Sequence, residues 1–140
     1  MTRLFLSLVA AVLVASTALA GDIRTERVQF QHGKSGATMK GHIQGRQSVS
    51  YILGAKAGQT MKVRLDSPNT ALYFNVYAPG KGPGDEALAV SENTGPMVPD
   101  LNRFEGVLPE SGDYTVSVYL YRNAARSGER ADYQVEFSIR

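Results

Sequence analysis

The stretch that decides the fold runs Ser111-Gly112-Asp113-Tyr114-Thr115-Val116-Ser117-Val118-Tyr119-Leu120-Tyr121-Arg122-Asn123-Ala124-Ala125-Arg126. Ser111 and Gly112 supply turn chemistry. Tyr114, Val116, Val118 and Leu120 then alternate with Thr115, Ser117, Tyr119 and Tyr121, the period of a strand with one face in a core. At Arg122 the pattern stops. Some ten residues, among them Arg122, Arg126 and Arg130, lead to a second alternating run in which Tyr133, Val135, Phe137 and Ile139 face one way. That connection is longer than the two to five residues of an ordinary hairpin. Its Asn-Ala-Ala-Arg segment can form one helical turn, and a spacing of four sets Arg122 and Arg126 on one side of it. A plainer account makes it a solvated loop whose arginines pair with Glu129 and Asp132.

Upstream the same period recurs. Val28 and Phe30 alternate with Gln29 and Gln31, Val49, Tyr51 and Leu53 with Ser48, Ser50 and Ile52, Met61, Val63 and Leu65 with Lys62, Arg64 and Asp66, and Leu72, Phe74 and Val76 with Tyr73, Asn75 and Tyr77. Turn residues at Gly45, Ala57-Gly58, Ser67-Pro68-Asn69, Pro79-Gly80 and Pro109 to Gly112 bound these runs. Two further strands, Thr38 to Ile43 and Arg103 to Leu108, are interrupted by Gly41 and Gly106. Residues 79–101 form a long excursion rich in Pro and Gly, with one short strand at Ala87 to Val90. No helical period persists. The sequence therefore predicts an all-β fold, a small antiparallel β-sandwich of about eight strands, as a single domain over residues 21–140.

Residues 1–20 read as an address. Arg3 precedes an apolar run from Leu4 to Ala15, broken by Ser7, and the run ends in Ser-Thr-Ala-Leu-Ala before Gly21. This is the pattern of a secretory signal peptide cut after Ala20. The run falls short of the ~20 apolar residues that span a bilayer, so no membrane anchor is expected after cleavage. The whole chain has 140 residues and no Cys, which excludes disulfides, thiolate metal sites and a lipidated N-terminus. Its 15 Lys and Arg against 13 Asp and Glu, with no basic run beyond Lys62 and Arg64, argue against a nucleic-acid partner.

No catalytic constellation emerges. His32 and His42 are the only histidines and sit in no metal-binding spacing. Gly33-Lys34-Ser35-Gly36 lacks the first Gly of a phosphate loop, and Asp85 and Glu86 are sequence neighbours that point apart if extended. No metal, cofactor or enzymatic activity is expected.

Several segments are similar to the periplasmic lysozyme inhibitors of Gram-negative bacteria, those directed at goose-type (g-type) and invertebrate-type lysozymes. The resemblance covers most of the mature chain and is carried by Gly41 to Gly45, Ala55 to Gln59, Leu108 to Tyr114 and most specifically by Arg122-Asn123-Ala124-Ala125-Arg126. It implies a non-enzymatic β-sandwich, exported to the periplasm, that protects peptidoglycan against host lysozyme by plugging the enzyme's cleft. Arginine suits the task because its planar fork binds carboxylates bidentately at any physiological pH. The resemblance assigns the plug to Arg122 and Arg126, with Asn123 between them, for a goose-type target. For an invertebrate-type target it assigns Ser111 and Tyr114. The two motifs lie on the order of 20 Å apart along one strand, so one docking event cannot use both. The arginine motif is the more particular, and a goose-type target is favoured. Goose-type inhibitors carry Tyr after the hairpin glycine where this chain has Arg46 after Gly45. The oligomeric state stays open, a dimer included. A different reading is a carbohydrate- or cell-surface-binding sandwich module, using Tyr73, Tyr77, Tyr119 and Tyr121 for stacking, or Asp85 and Glu86 for calcium.

Overall fold

A computed structural model describes residues 22–90 and 102–140. The expected signal peptide and the later half of the excursion before Asn102 lie outside the described residues. Within them the elements are β1 (Ile23–Arg27), β2 (Gly36–Gln44), β3 (Ser48–Ala55), β4 (Thr60–Asp66), β5 (Leu72–Tyr77), β6 (Ala89–Val90), β7 (Arg103–Val107), β8 (Gly112–Leu120), α1 (Arg122–Arg126) and β9 (Arg130–Ile139). They form two sheets, one in the order β1-β3-β8-β5-β6 and one in the order β2-β9-β4-β7. The all-β sandwich expected from the period-two runs is what forms.

The inner faces are the alternating apolar residues. Tyr51 and Leu53 of β3, Tyr114, Val116 and Val118 of β8 and Phe74 and Val76 of β5 meet Met61, Val63, Val135 and Phe137 of the second sheet, all at 2% exposure or less. Each such side chain contributes about 1.5–3 kcal/mol by leaving water. The sheets are also tied across the core: the hydroxyls of Tyr51 and Tyr133 lie 2.6 Å apart, buried, and the Tyr51 ring sits 5.4 Å from that of Phe137. Two phenols can satisfy each other there because each hydroxyl both donates and accepts.

The glycines that interrupt β2 and β7 are accounted for by neighbouring rings. A Cβ on Gly41 would stand 2.6–2.7 Å from the end of the Tyr133 ring, which lies across it from the opposed position on β9. A Cβ on Gly106 would come 2.8 Å from the Phe104 ring. These glycines make room for aromatic packing and do not end the strands.

The N-terminal strand departs from expectation. The apolar alternation beginning at Val28 predicts a strand there, whereas the strand is Ile23–Arg27, running parallel to β3 from Ile23 opposite Ser48 to Arg27 opposite Ile52. Its side chains are mostly exposed, so no buried face marks it in the sequence. Val28 donates one more backbone bond, to Ile52 O at 2.8 Å, and turns its side chain inward; the chain then leaves the sheet.

Burial holds the Tyr51 and Tyr133 hydroxyls above the ordinary tyrosine value. As pH rises through about 10 the unfolded chain releases these protons while the folded one keeps them, so stability falls with pH there. Urea melts between pH 7 and 11 are expected to show this alkaline loss, and the double substitution Tyr51→Phe/Tyr133→Phe should make it shallower; an identical alkaline slope in the variant would contradict the assignment.

Candidate functional site

The sandwich has two ends, and β8 connects them. Its nine residues, rising about 3.4 Å each, separate Gly112 from Leu120 by roughly 27 Å, with Ser111 and Tyr121 just beyond either end. The two candidate site motifs therefore stand at opposite ends of one central strand.

At the far end of β8 the chain turns into α1. Its residues divide by face as their sequence suggests: Ala124 is buried in the core, Ala125 packs against it, and Arg122, Asn123 and Arg126 are exposed. Arg122 and Arg126 are one turn apart, on the same side. Asn123 closes the turn by accepting at its carbonyl from Ser127 N at 3.1 Å and from Ser127 Oγ at 3.0 Å. Gly128, at φ +68°, then reverses the chain in the left-handed conformation that favours glycine.

The arginines of this helix differ from most of the others. Arg24, Arg27, Arg64 and Arg130 each pair with a carboxylate, Arg130 with Asp132 at 3.1 Å. Among the described residues, Arg122 and Arg126 have no such partner. The solvated-loop account holds for Arg130, which pairs with Asp132, but not for Arg122 and Arg126, since Glu129 Oε1 accepts instead from Asn69 Nδ2 at 3.1 Å.

The hairpin between β2 and β3 meets the same end. Gly45 N donates to Glu129 O at 2.8 Å, and Gln44 Nε2 to Gly128 O at 3.3 Å. Gly45 takes φ +60°, and a Cβ there would lie 3.6 Å from Ala125 O. Arg46, exposed at the tip, is thus brought to the α1 end, where it is held by an interaction of its own. Arg46, Arg122, Asn123 and Arg126 share one end of the molecule.

At the other end Ser111 and Tyr114 have structural work. Ser111 Oγ accepts from Ala57 N at 2.9 Å, joining its turn to the β3–β4 turn. Tyr114 is 0% exposed; its hydroxyl donates to Glu110 O at 2.7 Å and accepts from Glu110 N at 3.1 Å. A hydroxyl so engaged has no surface to offer an incoming cleft while the turn keeps this shape. Nearby, the Arg27 guanidinium hydrogen-bonds Asp113 and holds that exposed carboxyl below the usual carboxylate range.

The tyrosine platform is only partly assembled. Tyr73 and Tyr121 meet edge to face at 6.2 Å, with Tyr121 49% exposed, at the α1 end. Tyr119 donates to Asn75 Oδ1, and Asn75 Nδ2 donates to Tyr77. Tyr77, expected to be exposed, is in fact 4% exposed, because it lies along the outer face of β5 within this chain of contacts. Asp85 Oδ2 accepts from Gly82 N at 2.9 Å in its own loop. His32 lies in the β1–β2 connection and His42 on the outer face of β2, both exposed.

The residues that sequence reasoning missed are Asn69 and Gln44, which fix the α1 turn from either side, Asn69 by way of Glu129 and Gln44 by way of Gly128. Ser67-Pro68-Asn69 was legible as a turn, but what its side chains reach depends on tertiary structure.

No protein-family model matches the chain. It is 30% identical over 129 residues to the inhibitor of g-type lysozyme of Escherichia coli (strain K12), covering 91% of this chain and 90% of that protein. The crystal structure of the periplasmic g-type lysozyme inhibitor PliG of Aeromonas hydrophila is similar with a TM-score of 0.78 at 38% identity, over 86% of this chain and 100% of that one. PliG of Salmonella Typhimurium gives 0.64 at 27% identity, over 84% of this chain and 98% of that one.

If Tyr114 serves the turn, Tyr114→Phe removes two hydrogen bonds from a buried site and should cost about 1–3 kcal/mol of unfolding free energy in denaturant melts. Unchanged stability would show that the hydroxyl is not needed there.

Proposed function

The chain belongs to the family of periplasmic inhibitors of g-type lysozyme, and from that membership we propose that the mature protein, cut after Ala20, guards peptidoglycan by setting its arginine end into the lysozyme cleft. It acts by occupancy and catalyses nothing. The observation that carries this reading is the pair of exposed guanidinium groups on α1, one helical turn apart and without a partner among the described residues, beside four other arginines that are paired.

The chemistry follows from the target. A lysozyme cleft is lined with catalytic carboxyl groups and shaped for a polysaccharide. A guanidinium brought to such a carboxylate forms charge-assisted, bidentate hydrogen bonds as both groups lose water. A guanidinium already paired within the inhibitor would first have to break that bond. Arg122 and Arg126 do not, and the loop that bears them is fixed before binding, which lowers the ordering cost of association. Arg46 adds a third positive charge at the rim and favours approach to an acidic cleft more than it adds affinity. The resemblance leaves Ser111 and Tyr114 as the alternative plug against invertebrate-type lysozyme. Its weaker support is physical, since Tyr114 is buried with its hydroxyl bonded to Glu110 and Ser111 Oγ already accepts from Ala57 N.

Titration of g-type lysozyme acting on bacterial cell walls tests the reading. The mature protein is expected to inhibit at micromolar concentration or below. Arg122→Ala and Arg126→Ala should each weaken inhibition by about thirtyfold or more, since truncating one side of a desolvated charge pair costs about 2–5 kcal/mol. Ser111→Ala should change it by less than about threefold. Full inhibition by the double arginine variant, with loss in Ser111→Ala, would reverse the assignment of the ends.

A further inference from the structure

A five-residue helix does not hold itself in water, and Tyr121 at its N-cap supplies no side-chain cap. What fixes α1 lies outside it. At its start, Tyr121 N donates to Ala71 O at 2.8 Å. Beyond its end, Asn69 Nδ2 donates to Glu129 Oε1 at 3.1 Å and to Arg130 O at 3.2 Å. Asn69 Oδ1 meanwhile accepts from Ala71 N at 2.9 Å. One carboxamide thus links the residue that receives the chain entering the helix to the residues that leave it. Ser67 backs it, with Oγ accepting from Asn69 N at 3.1 Å and donating to Asp132 O at 2.6 Å.

We propose that Asn69 is a positioning residue for inhibition: it staples the two ends of the α1 turn so that Arg122 and Arg126 are held in their binding geometry before lysozyme arrives. This rests on the reading of the arginine end as the docking surface. Asn69 touches neither arginine and reaches no cleft; it acts through the backbone that carries them. The residue type is specified by the bonding. Aspartate would keep the acceptor for Ala71 N, lose both donors and set a second carboxylate against Glu129. Alanine would lose every side-chain bond. A turn loosened in either way must be re-ordered on binding, and that cost falls on affinity while the core between the sheets stays intact.

The double-mutant cycle of Asn69→Asp and Glu129→Gln tests this with three readouts: dissociation from g-type lysozyme, thermal unfolding, and amide exchange at Ala125, Gly128 and Glu129 in the free inhibitor. Asn69→Asp is expected to speed dissociation and exchange at those amides at least tenfold each, with an unfolding midpoint within about three degrees of wild type. Glu129→Gln alone should stay within threefold, because its carbonyl oxygen still accepts. The double variant should recover at least half of the loss on a logarithmic scale, since the new carboxamide at 129 can donate to the new carboxylate at 69. Unchanged exchange in Asn69→Asp would overturn the staple, and faster exchange with unchanged dissociation would overturn its role in positioning. Should the wild type not bind lysozyme at all, the functional reading fails, while the exchange rates still decide whether Asn69 holds the turn.

Discussion

Burial of the inner face of β8 is the constraint from which the rest follows. Tyr114, Val116 and Val118 are 0% exposed and Leu120 5%, and the strand is paired on both flanks, to β3 along most of its length and to β5 from Thr115 to Leu120. Slipping the register by one residue would take that apolar set out of the core between the sheets and bring Thr115, Ser117 and Tyr119 into it, so the position of β8 is fixed. With no cysteine to cross-link it, the domain depends on this packing and on the Tyr51–Tyr133 bridge between its sheets. A strand fixed in register fixes what emerges at both its ends.

The two ends are finished differently. At the Ser111 end, side-chain hydroxyls are spent on the protein's own backbone, which closes the turn and leaves Ser111 and Tyr114 with bonds already made. At the α1 end, backbone and amide groups of neighbouring turns hold the helix, and the long cationic side chains are left over. Rigidity therefore comes from residues other than those that present charge. That division suits an inhibitor, which must resemble a bound ligand without reorganising to become one.

Much of this was legible in the sequence. Period-two alternation located the strands from β3 to β5 together with β8 and β9, because each buries one face, and burial is what the alternation records. The β1 strand escaped because it pairs through its backbone at a sheet edge with its side chains in water. Gly41 and Gly106 weakened two strands on paper; the rings of Tyr133 and Phe104 that lie over them are compensation no local reading supplies. At the site, the i to i+4 spacing of Arg122 and Arg126 allowed a helical turn with both arginines on one side, beside the plainer reading of a solvated loop; the structure forms the turn. That Glu129 would be taken by Asn69, sixty positions away, was not visible, since a side chain's partner across a sandwich depends on the register of strands far apart in sequence.

Under the proposed function, the protein meets lysozyme with its α1 end. Hydrogen exchange of the complex with g-type lysozyme, compared with the free inhibitor, addresses it most directly. The account expects new protection over residues 44–47 and 121–129, with residues 56–59 and 108–112 exchanging as before. Protection confined to 56–59 and 108–112, at the Ser111 end, would contradict it.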